Sequence, residues 1–81
     1  MEIIFSDEFK KDFKKIKNKS LLLNLLKHIQ KLSEFPESGK PLRYELKNHR
    51  SIRIKPFRII YRLENDKIII NCFEHRKEVY N

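Results

Sequence analysis

Cationic and titratable side chains gather near the C-terminal end of the chain, where His75, Arg76, Lys77 and Tyr80 follow an apolar segment. A histidine can transfer a proton near neutral pH, an arginine can hold a phosphate, and a tyrosine can stack on a base or donate a hydrogen bond. Metal-free RNA cleavage requires a base for the 2′-hydroxyl, cations for the phosphorane and an acid for the 5′-oxygen. The cluster therefore suggests phosphate chemistry, with RNA as the first candidate ligand.

A second group of cations lies on predicted strands. Isoleucines alternate with Arg53 and Lys55 in the segment before Pro56, so these two cations should share one face of a strand. Arg58 follows on the next strand. A solvated strand face is the ordinary interpretation of any one of these residues. Several cations converging on one patch with Arg76 would repel each other unless an anion is bound, which favours a phosphate site.

The residue types do not decide which groups transfer the protons. Arginine stays protonated, so the candidates are His75, Tyr80 and a lysine whose pKa is lowered by its cationic neighbours. We interpret His28 as an ordinary helix-surface histidine, and His49 as a solvated turn residue near the patch that could touch substrate. Cys72 is expected to be a buried strand residue without nucleophilic function.

Composition places the chain in a broad class. Its 81 residues predict one domain spanning 1–81, and 19 Lys and Arg against 11 Asp and Glu give a net charge of +8. Such a charge implies attraction to polyanions or to an acidic protein. One cysteine and no apolar run long enough for a signal peptide or a membrane span predict a soluble cytoplasmic protein. No metal site and no cofactor are expected.

The periodicity predicts an α+β fold in the order β-α-α-β-β-β, with two N-terminal helices on one face of a small, mainly antiparallel sheet. Ser6 and Ser20 are the predicted N-caps of the helices, and Pro36 ends the second one. A polar turn around residues 64–67 should join the last two strands. The second helix should turn a leucine-rich stripe inward, widened by its flanking leucines (Leu22, Leu25, Leu26, Ile29 and Leu32, with Leu21 and Leu23).

Four segments of the sequence together resemble the RelE/ParE superfamily of toxins. They are Leu42-Arg43, Ser51-Ile52-Arg53-Ile54, Phe57-Arg58-Ile59-Ile60-Tyr61-Arg62 and His75-Arg76-Lys77-Glu78-Val79-Tyr80. The likeness covers nearly the whole chain, including both helices, and is closest to the RelE branch, with a compact length like that of archaeal or thermophile members. It implies a RelE-like fold and a toxin of a type II toxin–antitoxin system.

The resemblance also implies an activity and partners. RelE-like toxins are metal-independent endoribonucleases that cut mRNA in the ribosomal A site through attack of the 2′-hydroxyl. The implied partners are the ribosome, mRNA and a RelB-like antitoxin, in a complex that can be a heterotetramer. By analogy Arg58 and Arg76 bind the phosphate, Tyr80 matches the family's near-terminal tyrosine, and Arg53 stands where RelE has a catalytic lysine. The predicted RNA contacts are Arg43, Lys47, Arg50, Arg62 and Lys77.

Two departures from the family pattern leave the general base open. Ser51 stands where RelE has the first lysine of a pair, and Glu74 brings a negative charge close to the phosphate site. The base is therefore His75, Lys55 or an unusual arrangement. Two other functions share the architecture: a ParE-like poison of DNA gyrase, and a non-catalytic module that binds RNA or the ribosome.

Overall fold

The computed structural model describes residues 1–75, so the predicted site residues Arg76, Lys77 and Tyr80 lie outside the described part. Two helices and a five-stranded sheet form within it. The elements, in chain order, are β1 (Glu2–Phe5), α1 (Asp7–Lys14), α2 (Lys19–Glu34), β2 (Lys40–Pro41), a 3₁₀ helix (Tyr44–Leu46), β3 (His49–Ile54), β4 (Phe57–Glu64) and β5 (Lys67–His75).

The sheet has the strand order β1-β5-β4-β3-β2, with β1 parallel to β5 and the other neighbours antiparallel. Both helices pack on one face, where Phe9, Leu25 and Leu32 meet buried residues of β3, β4 and β5. The predicted α+β class and its mainly antiparallel sheet are confirmed. The strand β2 was not predicted, because two residues carry no readable alternation.

The helix starts follow local capping chemistry. Ser6 caps α1 as predicted: its Oγ accepts a hydrogen bond from Phe9 N at 3.0 Å. The prediction of Ser20 as the second cap was wrong. Asn18 caps α2 instead, since its Oδ1 accepts from Leu21 N at 3.0 Å and places Ser20 inside the first turn. Asparagine and serine are about equally good caps, so the sequence did not discriminate between them.

The inward stripe of α2 is narrower than predicted. Leu25, Ile29 and Leu32 are buried, whereas Leu23 is 67% exposed and Leu26 is 44% exposed. Each residue turns an α-helix by about 100°, so Leu23 lies about 200° from Leu25 and faces solvent. Leu26 lies at the margin of the stripe, beside α1. The prediction that Leu23 widens the buried stripe was wrong, as was the inclusion of Leu26 within it.

A β-bulge in β5 decides which side chains reach which face of the sheet. Tyr61 pairs with Ile70 and the preceding Ile60 pairs with Cys72, so Asn71 is one extra residue in β5. A single inserted residue reverses the alternation of everything after it. Ile68 and Ile70 therefore point to the helices before the bulge, and Phe73 does so after it.

The loop between α2 and β3 is held by Tyr61, which is fully buried. Its hydroxyl donates to Pro36 O at 2.7 Å and accepts from Gly39 N at 2.9 Å. A Cβ at residue 39 would stand 2.6 Å from two atoms of the Tyr61 ring and hydroxyl, so this position requires glycine. Burial raises the pKa of Tyr61, which keeps the hydroxyl protonated as a donor.

Candidate nucleic-acid interface

The sheet face opposite the helices, here called the open face, carries three arginines of the predicted site (Arg53, Arg58 and Arg62). Register places on it alternate residues of the three longest strands (His49, Ser51, Arg53, Arg58, Ile60, Arg62, Ile69, Cys72 and Glu74). The predicted positions of Arg53, Arg58 and Arg62 on the face away from the helices follow from this register. Their alternation with core residues explains why the pattern was readable in the sequence.

Arg53, Arg58 and Glu74 form a row across three adjacent strands. Arg53 is paired with Arg58, and Arg58 is paired with Glu74 on its other side. The Nε and Nη2 atoms of Arg58 both lie 2.6 Å from Oε1 of Glu74, and the two side chains are 20% and 34% exposed. Arg53 is exposed. Residues directly opposite each other across strands interact closely, so one carboxylate partly compensates two guanidinium groups.

A second polar row lies four residues farther along β4, about 13 Å away at the usual rise of a strand. Arg62 is paired with His49, donates from Nη1 to Asn71 Oδ1 at 2.7 Å, and donates from Nε to Glu64 Oε2 at 3.0 Å. The bulged residue Asn71 in turn contacts His49, with 3.2 Å between Asn71 Nδ2 and His49 Nε2.

These contacts determine which ring nitrogen of His49 carries the proton. Arg62 binds the amide oxygen of Asn71, so the amide nitrogen must face the imidazole and donate to its Nε2. His49 Nε2 is therefore an acceptor, and the proton lies on Nδ1, which donates to Lys47 O at 3.2 Å. The arrangement holds the imidazole of His49 on the open face, with its ring oriented by contacts to Asn71 and Lys47.

A cavity of about 730 Å³ opens on this face around Arg58. Glu8 and Glu74 both line it, so the immediate surroundings of Arg58 are acidic; the negative charge of Glu74 near this site was expected from the sequence, and that of Glu8 was not. Burial, with Glu74 and Glu8 nearby, raises the pKa of the Cys72 thiol to about 12. The thiol therefore stays protonated, which agrees with the prediction that Cys72 is not a nucleophile.

His75 lies on the helix side of the sheet. It pairs with Phe57, whose ring stacks on the core residue Phe73, and the His75 ring meets Phe57 edge-on with centroids 5.0 Å apart. The bulge at Asn71 causes this placement, because it shifts His75 into the phase of Phe73. His75 and Arg58 are thus on opposite faces, and the predicted cluster of His75 with the strand arginines is not formed.

The remaining predicted site residues are dispersed. Lys55 lies in the turn after β3 and not on the strand, contrary to the predicted alternation. Arg50 pairs with Tyr61 and donates to Glu37 O at 3.1 Å and to Gly39 O at 2.9 Å, which anchors the loop beside Tyr61. Arg43 and Lys47 flank the 3₁₀ helix and are exposed.

The sequence did not reveal how His49 and Tyr44 are placed. His49 had been interpreted as a turn residue, and no short-range signal could connect it to Asn71, which is 22 positions away. An aromatic residue such as Tyr44 is ordinarily interpreted as part of the core or its rim, but it is 90% exposed and has a positive φ of 59°.

Residues 1–75 contain neither a metal-binding cluster nor a membrane-spanning helix. Within this part of the chain, no three His, Cys, Asp or Glu side chains come together in a way that could hold a metal ion. No helix in the same residues combines the length and apolarity that crossing a membrane requires.

Several solved structures with this fold come from toxin–antitoxin complexes. The toxin–antitoxin complex RelBE2 from Mycobacterium tuberculosis contains a chain of 28% identity and TM-score 0.80, with 93% of this chain and 96% of that chain covered. The RelB–RelE complex from Methanococcus jannaschii matches at 22% identity and TM-score 0.74, covering 96% and 95%. The YoeB–YefM complex from Staphylococcus aureus matches at 18% identity and TM-score 0.79, with 93% of this chain and 95% of that chain covered.

The family follows from the sequence itself. Residues 3–80 match the family model described as the ParE toxin of type II toxin–antitoxin systems, parDE. The chain therefore belongs to this family of toxins, and the resemblance to the RelE/ParE superfamily is confirmed. A search of curated proteins found no match.

Proposed function

We propose that the protein is a ribosome-dependent mRNA endonuclease, the toxin of a toxin–antitoxin pair. One observation carries the proposal: Arg53 and Arg58 are paired directly across neighbouring strands on an open face that also presents Arg62 and His49. Paired guanidinium groups can stabilise the charge that develops on a phosphate during attack of the 2′-hydroxyl. Likeness to RelE- and YoeB-containing complexes supports the same activity.

The proposal assigns roles by position. Arg58 binds the scissile phosphate with the guanidinium edge that Glu74 leaves available, and Arg53 adds charge from the neighbouring strand. Arg62 contacts the RNA backbone farther along the face. Because His75 faces the helices, it is a weaker candidate for the proton acceptor than groups of the open face. His49 is held there by its contact with Asn71, and Arg76 and Tyr80 stay candidates from the sequence.

Mapping of mRNA 5′ ends in a translating extract tests this function. The wild type should produce cuts in phase with codons that require ribosomes, and Arg58→Ala should abolish them. Lys27→Ala is the matched control, because it removes an exposed cation from α2, on the other side of the sheet. Loss of activity in both variants, or retention in Arg58→Ala, would reject the assigned role of the open face.

A ParE-like gyrase poison is the second candidate, and the match to the ParE family model favours it. It predicts growth arrest with intact mRNA, accumulation of cleaved DNA bound to gyrase, and little effect of Arg58→Ala. Growth arrest without mRNA cuts would move the assignment to this function. Ribosome binding with neither arrest nor cuts would instead indicate a non-catalytic binding module.

We further propose that a RelB-like antitoxin covers an apolar groove between α1 and α2. The groove has a volume of about 320 Å³ and is lined by aromatic and aliphatic side chains with two lysines at its margin (Phe5, Phe9, Phe13, Leu26, Ile29, Lys10 and Lys14). An acidic amphipathic helix fits both the apolar floor and the cationic margin. Antitoxin complexes of RelE and YoeB support the choice of partner.

The groove is tested by Leu26→Asp, which places a charge at its exposed margin. Co-expressed antitoxin should bind this variant far more weakly than the control Leu23→Asp, since Leu23 lies on the solvent side of α2. Equal binding of both variants would reject the groove as the antitoxin site. A loss confined to Leu23→Asp would place the antitoxin on the outer face of α2.

A further inference from the structure

Tyr44 presents its ring to solvent to an unusual degree. Its 90% exposure is the highest among the large hydrophobic residues exposed in the described part of the chain. Tyrosine usually buries most of its ring or places it in an interface, because the ring is apolar. An almost fully exposed tyrosine therefore lacks the packing that would explain its presence in a folded monomer.

The backbone at Tyr44 carries a cost as well. Its φ of 59° lies in the left-handed region, which a bulky residue adopts only with strain and which glycine adopts without it. A strained residue that gains no packing is a feature to associate with function. Asn48 in the same loop also has a positive φ, of 74°, but asparagine tolerates this region well.

The surroundings of Tyr44 suit a polyanion. Arg43 precedes it, Lys47 follows three residues later, and both cations are exposed. The 3₁₀ helix that begins at Tyr44 ends at Leu46, which lines the cavity around Arg58 on the open face. The ring therefore belongs to a short segment that reaches the proposed RNA site through Leu46, and an exposed cation stands on either side of it in the sequence, where it can hold the phosphates of a strand.

We propose that Tyr44 is a stacking platform for an unpaired base of single-stranded RNA that runs along the open face. The inference rests on the proposed function and adds a base contact to a site otherwise built from phosphate contacts. Stacking on an aromatic ring tolerates every base, so the contact contributes affinity and register without selecting a sequence. The strained backbone presents the ring to solvent before RNA arrives.

The test compares Tyr44→Gly, Tyr44→Phe and Asn48→Gly with the wild type. Each is titrated with a fluorescent hexanucleotide that lacks 2′-hydroxyl groups and cannot be cut, and with the same strand carrying abasic sites. Tyr44→Gly removes the ring and the backbone strain together, so the fold should be at least as stable to heat. Asn48→Gly is the matched control, because it relaxes a positive φ in the same loop and leaves the ring in place.

The intact strand should bind about tenfold to a hundredfold more tightly than the abasic strand to three proteins: the wild type, Tyr44→Phe and Asn48→Gly. Tyr44→Gly should bind both strands equally and weakly. Equal affinity of Tyr44→Gly and wild type for the intact strand would overturn the proposal. A wild type that does not distinguish the two strands, including one that binds neither, would also overturn it.

Mapping of mRNA 5′ ends with the same variants in a translating extract separates this inference from the proposed function. Cuts by the wild type that Tyr44→Gly leaves unchanged would reject stacking and keep the nuclease. If the protein makes no cuts but still binds the intact strand more tightly than the abasic one, and this preference is lost in Tyr44→Gly, the nuclease function is rejected and the stacking contact is kept.

Discussion

Replacing Glu74 by glutamine should strengthen the binding of anions at Arg58. The amide keeps an oxygen in place of Oε1, which accepts from Nε and Nη2 of Arg58 at 2.6 Å in the wild type, so the arginine should keep its orientation. The substitution removes the negative charge that a bound phosphate would meet. It therefore separates the electrostatic effect of Glu74 from its effect on the geometry of Arg58.

The size of the expected gain in phosphate affinity follows from the distance between the Glu74 carboxylate and the bound phosphate. A phosphate on the other edge of the guanidinium would stand about 6 Å from the Glu74 carboxylate, and two negative charges at that distance repel by about 3 kcal/mol at an effective dielectric constant of about 20. Glu74 is 34% exposed, so solvent and salt reduce the effect. We expect a gain of about 1–2 kcal/mol, or about fivefold to thirtyfold in affinity.

The assay is a titration with inorganic phosphate followed through the NMR signal of the Arg58 Nε–H group. A parallel titration with uncut single-stranded RNA reports the same site. Glu64→Gln is the control, because Glu64 pairs with Arg62 at 3.0 Å but is 53% exposed, and removing its charge should have a smaller effect. Weaker binding of phosphate by Glu74→Gln would refute the reasoning, since Glu74 would then act by positioning Arg58.

The remaining predictions concern the buried Tyr61 and the half-buried Cys72. Tyr61→Phe leaves Gly39 N and Pro36 O without their buried partner and should lower the free energy of unfolding by about 1–3 kcal/mol in urea titrations; an unchanged midpoint would contradict the role of the hydroxyl. Cys72 should react with iodoacetamide at pH 8 about a thousandfold more slowly in the folded than in the unfolded chain, because its pKa is raised from 9.0 to about 12. The thiol's contribution to stability should be complete below pH 9 and lost between pH 9 and about 12, as the unfolded chain ionises first. Comparable alkylation rates would contradict this environment.

Local patterns in the sequence predicted the elements well. Ser6 followed by two acids identified the start of α1, and the alternation around Arg53 and Arg58 placed both on one face. The hairpin between β4 and β5 turns at Asn65 and Asp66, both with positive φ, and these residue types tolerate that conformation. Such features depend on a few adjacent residues, which is why the sequence alone sufficed.

The composition of the site could not be predicted in the same way. The bulge at Asn71 has no local signature, yet it moves His75 to the helix side and Glu74 to the open face. His49 joins the face through contacts with a residue 22 positions away. Each of these outcomes depends on long-range pairing, which residue types and spacing do not record.

The position of β5 in the sheet has a consequence for synthesis of a toxin. This strand is the last one described along the chain, yet it lies between β1 and β4, and residue 3 pairs with residue 68. A nascent or prematurely terminated chain that stops before Lys67 lacks β5, the strand that joins β1 to β4 and the rest of the sheet. Pairing of such distant segments also slows folding. The sheet of this toxin therefore closes only after Lys67–His75 has been translated, so the paired arginines of the open face reach their final setting late in synthesis.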